Sequence, residues 1–92
     1  MRPLYFVTYG KGRIPVGADM HKFGTFRLFG LVEAEVMART MWDDNHGRED
    51  CYIHRIAGRR HAAPGRVLSC WVWVPDDART VWRMELKFLG EM

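Results

Sequence analysis

The sequence predicts an α+β fold: a small antiparallel sheet of three or four strands with one helix packed on one face, in the order β-α-β-β-β along the chain. Three observations predict it. A single segment repeats apolar residues at helical spacing. Four short segments are rich in aromatic and β-branched residues. The stretches between them are broken by Gly, Pro or Asn.

Leu4–Tyr9 reads as the first strand, bounded by Pro3 and Gly10. Residues Gly10 to Gly24 hold four Gly, one Pro and scattered Lys and Arg, a long basic loop. Phe26, Leu28 and Phe29 return to apolar character as a short strand or anchoring turn. The helix runs from Leu31 to Asp44. Leu31, Ala34, Ala38 and Met41 mark its inner face, widened by Met37 and Trp42. Gly30 suits its start, and Asn45 and Gly47 supply left-handed residues to end it.

Cys51–Ile56 is the second strand, followed by an Arg-rich loop over Ala57–Arg66. Val67–Val74 is the third, stopped by Pro75. Thr80–Leu89 is the fourth and alternates most cleanly: Trp82, Met84, Leu86 and Phe88 against Arg83, Glu85 and Lys87. A tight connection over Pro75–Arg79 sets Val72 opposite Trp82 and Cys70 opposite Met84 as the inner face. The outer face then joins Trp71 to Arg83, Trp73 to Val81 and Val67 to Lys87. If solvent reaches that face, its indoles and cations form an aromatic-basic platform for a partner; the alternative is that the Gly10–Gly24 loop or a second subunit covers Trp71 and Trp73.

Ninety-two residues, 48% of them hydrophobic, make one domain over 1–92 with a single core. The formal net charge is +3, but charge alternates in blocks. Residues 1–30 carry five basic and one acidic side chain, and residues 31–50 carry two basic and six acidic. Residues 51–75 carry four Arg and no acid. Arg is suited to forked contacts with phosphate or carboxylate. Arg55, Arg59, Arg60, His61 and Arg66, with Trp71, Trp73, Arg83 and Lys87, are therefore the expected partner-binding residues.

Chemistry is poorly provided for. The only thinkable nucleophile–base pair is Cys51 with His54 or His46, and on a strand Cys51 and His54 point to opposite faces. A metal-free nuclease built from His54, His61 and Arg59 stays open as an alternative, since such sites leave little local signature. No metal-ligand spacing or phosphate-binding glycine motif stands out, so no cofactor or metal is expected. Two cysteines fit a reducing compartment, and no apolar run could span a bilayer. Cytoplasmic residence follows as the expectation, in the host cytoplasm if the chain is phage-encoded.

The stretch Gly65 to Gly90 resembles the C-terminal strands of small ribosome-targeting toxins. The N-terminal half lacks their paired helices, and no residue role is carried over. In size and composition the chain looks like the small accessory proteins of phages and mobile elements. Some of these, such as anti-CRISPR proteins, block a host defence complex by occupying a site on it. The expected function is thus a non-catalytic binding protein for a protein or nucleoprotein partner, a second copy of the chain being also admissible. The competing expectation is autonomous binding of nucleic acid through the basic loop and the aromatic face.

Overall fold

Strand β1 (Leu4–Tyr9) opens the fold, and its aromatic and β-branched residues are buried from Tyr5 through Thr8. A computed structural model of the chain describes residues 3–75 and 84–91. A one-turn 3-10 helix (Met20–Lys22) and helix α1 (Leu31–Asp44) follow. Strands β2 (Cys51–Ile56), β3 (Val67–Pro75) and β4 (Met84–Glu91) complete an antiparallel sheet ordered β1-β2-β3-β4. This is the α+β arrangement expected from the sequence. Among the described residues, no helix is long and apolar enough to cross a membrane.

The pairing of β1 with β2 sets Val7 opposite Ile53 and Phe6 opposite His54, which assigns the two faces of the sheet. Tyr5, Val7, Cys51, Ile53 and Trp73 face α1, which covers them with Ala34, Ala38 and Trp42. Those helix residues lie four apart, so small side chains let the helix sit close and Trp42 fills its end. The inner stripe is rotated relative to the expectation, because Leu31 is 41% exposed.

The helix exit also differs from the sequence reading. His46 and Gly47 take positive φ, whereas Asn45 does not. Gly47 N–H donates to the Trp42 carbonyl at 2.9 Å, closing the last turn. A Cβ on Gly47 would lie 2.6 Å from the Trp42 ring, so glycine is required there for space as well as for φ.

The opposite face is covered by the loop before α1. Phe6, Ile14, Met20, Ile56 and Val67 form a second core there, with Phe26 stacked on Phe6 at 4.7 Å. His54 is fully buried in it, its ring stacked on Phe6 at 4.4 Å. Phe29 then pairs with Tyr5 through two backbone hydrogen bonds of 2.8 and 2.9 Å, partly closing the free edge of β1.

The β3–β4 register corrects the tight hairpin. Val72 stands opposite Lys87, Trp73 opposite Leu86 and Trp71 opposite Phe88. The apolar positions of β4 are thus in register with the two Trp rather than with Cys70 and Val72. The reason is physical. Both faces of β3 are apolar, so burial does not choose between registers differing by an odd number. Only a short turn would have chosen, and the pairing ends at Pro75 with Met84. The expected turn, Trp82 and Arg83 lie outside the described residues.

Candidate interaction surface at the arginine-rich end

The β2–β3 connection, residues 57–66, is an ordered structure rather than a loose tether. Ala57 and Arg66 extend the ladder by one backbone bond of 2.9 Å, and Gly65 N–H donates to Ala57 at the same distance. At the tip, His61 N–H donates to Gly58 C=O at 3.0 Å, while its Nδ1 accepts from Ala63 N–H at 3.1 Å. This local bonding holds Arg59, Arg60 and His61 at the surface, where all three are exposed.

The long N-terminal loop folds beside this connection. Asp19 pairs with Arg66 as a β-bridge. Gly17 N–H donates to Val67 C=O, Val67 N–H to Ala18 C=O and Met20 N–H to Gly65 C=O, all within 3.0 Å. Asp19 also accepts from His21 N–H, starting the 3-10 turn. The turn sets the His21 ring on Gly65, where φ is +82° and a Cβ would lie 2.7 Å from His21 Nε2. Two loops separated widely in sequence are thereby locked together by backbone bonds.

Between them lies a cleft of about 580 Å³. Its floor is apolar, with Leu4, Met20, Leu28 and Ile56, and its rim carries Arg59, Arg60 and His21. A smaller hollow of about 180 Å³ behind the same Ile56–Gly58 segment is lined by Arg55 and His61. The structure therefore brings Arg55, Arg59, Arg60 and His61 to one end of the sheet. Arg66 is exposed beside them, but its guanidinium donates to Gly17 C=O at 2.6 Å and so anchors the loop.

The two indoles of the expected platform are placed differently from the sequence reading. Trp73 is buried beneath α1, opposite Cys51, with its Nε1 in the interior. Trp71 is half-buried, packs on the same core and lies 6.0 Å from the Tyr5 ring. Both indoles lie on the side of the sheet where the helix docks, not on a face left open. Lys87 is in register with Val72 rather than with Val67. Arg83 lies outside the described residues. His21 and the apolar floor were missed. No local signal marks them, since only the Gly65 and Asp19 contacts bring them to the site.

The groups with reactive potential are differently placed. Cys51 faces the helix and His54 the loop, so the sheet separates them. Burial pushes the Cys51 thiol up to about 11, with Asp50 and Glu49 adding to it. Cys70 is likewise pushed up by burial to about 11, with Arg13 opposing. Both are protonated thiols at neutral pH, the form without nucleophilic strength. Burial drives His54 down to about 4. Its neutral Nε2 accepts a hydrogen bond from Ile14 N–H at 3.1 Å. No group of three potential metal ligands occurs among the described residues.

Comparison of the chain with protein-family models, with curated proteins and with solved structures finds no match. The functional reading therefore rests on the geometry alone.

Proposed function

We propose that the chain is a non-catalytic binding protein that engages a protein or nucleoprotein partner through its arginine-rich end. It would act as small phage or mobile-element accessory proteins do, by occupying a site on a host complex. The observation that carries this reading is the pairing of an apolar cleft around Leu4, Met20 and Ile56 with an exposed rim that holds the cations Arg59 and Arg60 beside His21. An apolar anchor surrounded by charge is the anatomy of a protein-binding hot spot. A partner presenting an apolar side chain flanked by carboxylates would fill the cleft and neutralise the rim.

Autonomous nucleic-acid binding is the weaker reading, because its stacking surface was to be Trp71 and Trp73, which pack on the helix side of the sheet. The test is affinity capture from the native host cell, with and without nuclease, using the wild-type chain and Arg59→Glu/Arg60→Glu. The proposal expects a nuclease-resistant partner that the double variant no longer retains. Equal capture by both proteins, with the variant folded, would remove the arginine-rich end from the account. Steeply salt-dependent gel shifts with bare DNA or RNA would favour the other reading.

A further inference from the structure

The start of the N-terminal loop builds a second concavity, on the loop face of the sheet and at the other end of β1. Its volume is about 550 Å³, within the range of small-molecule sites. One wall is basic: Lys11 and Arg13 flank Gly12, and both side chains are exposed. The facing wall is aromatic, with Phe26 stacked on Phe6 and Phe23 left 54% exposed. Tyr9, 56% exposed, stands at the mouth.

Two features show that the basic wall is held in place. Gly12 N–H donates to Tyr9 C=O at 2.9 Å, which turns the chain back on itself. Ile14, 2% exposed, anchors the next residue in the second core and donates its N–H to His54. Lys11 and Arg13 are thus presented from a tethered segment. Among the described residues neither forms an ion pair with a carboxylate. Glu49, which comes close to Gly10, lines a separate hollow on the far side of Tyr9.

Below the cleft, Thr8 is only 6% exposed and its Oγ1 is buried without a hydrogen-bond partner among the described residues. A buried hydroxyl left unpaired is costly, and a ligand group or the water it orders would satisfy it. Aromatic rings on one side and exposed cations on the other, Arg13 also reaching the Cys70 thiol, define the complement. It is a flat apolar ring carrying an anionic group.

We propose that this cleft binds a small aromatic anion, a planar ring bearing phosphate or carboxylate, with the ring against Phe23 and Phe26 and the anion on Lys11 and Arg13. The site is separate from the arginine-rich end and does not depend on the partner bound there.

The test is a titration of the full chain, followed by amide chemical shifts and calorimetry, with a panel of nucleoside 5′-monophosphates and aryl carboxylates. Free nucleosides and inorganic phosphate complete the panel. At least one aromatic anion is expected to bind with a dissociation constant on the order of 10–100 µM. Its shifts should be centred on residues 8–14 and 23–26. The nucleoside and inorganic phosphate should each bind about tenfold more weakly or worse, since each meets one wall only. Lys11→Ala and Phe23→Ala, both at exposed positions, should each weaken binding by about fivefold to tenfold. Arg59→Glu/Arg60→Glu should leave it unchanged. No binding by any panel member at ~1 mM overturns the proposal. So does inorganic phosphate matching the best aromatic anion, or Lys11→Ala and Phe23→Ala both binding like wild type.

Discussion

The two faces of the sheet are covered in different ways. On one, α1 satisfies its own backbone internally and offers Ala34, Ala38 and Trp42 to Tyr5, Val7, Ile53 and Trp73. That interface is built from side-chain packing. On the other, a loop with no repeating structure must find partners for its own N–H and C=O groups. It finds them at Val67 and Gly65 in the β2–β3 region, and at the buried imidazole of His54. A helix leaves a sealed apolar layer, whereas a loop brings polar groups into the interior and leaves clefts where it departs from the sheet. The cleft rimmed by Arg59 and Arg60 and the one rimmed by Lys11 and Arg13 are both built by that loop.

The contrast is broken most severely at the helix face. Trp73→Ala should cost about 3–5 kcal/mol of folding stability in urea denaturation, because the indole is 9% exposed among α1 and the strands. A loss below ~1 kcal/mol would mean that this face is not sealed.

Acid should act instead on the loop face. His54 titrates at about 4 in the folded chain, below the ordinary 6.5. Between those values the unfolded chain binds the proton and the folded chain does not. Stability from this group is therefore complete above 6.5 and falls as pH drops toward 4, by roughly 3 kcal/mol in all. Urea midpoints measured from pH 7.5 to pH 4 should fall through that window in the wild type. The slope should be shallower in His54→Gln, which keeps an acceptor for Ile14 N–H but does not titrate. Parallel curves would show that His54 is not the titrating group.

Glycine substitution should separate the two regions again. Gly47→Ala forces a Cβ into the Trp42 ring at positive φ and should cost about 2–3 kcal/mol. Gly65→Ala has the same φ problem, but it meets the far end of the exposed His21 side chain, which can turn away. About 1 kcal/mol is expected there. Equal losses at both positions would place the strain in backbone conformation alone. The smallest effect belongs to the proposed interface. Arg59→Glu/Arg60→Glu should change stability by less than about 0.5 kcal/mol, since both side chains are exposed.

The bounds of β1, α1 and β2 were legible because each carries its own punctuation: Pro3 and Gly10, Gly30, and the polar run before Cys51. Arg59, Arg60 and His61 were legible as a cluster because they are neighbours in the chain. Trp71 and Trp73 were misread. Alternation says which residues share a side, but β3 is apolar on both sides and so carries no mark of which one is open. His21 and Met20 were invisible as site residues, because the contacts that bring them there span more than forty positions of sequence.

Local chemistry in the sequence thus determined which segments are strand and helix, and where positive charge is dense, because both depend on residues a few positions apart. The tertiary structure alone decided which side of the sheet the helix covers, how β4 registers on β3, and that the first loop docks on the β2–β3 connection. Those choices are settled by burial and backbone pairing between distant segments, and such energies belong to pairs of segments rather than to either one.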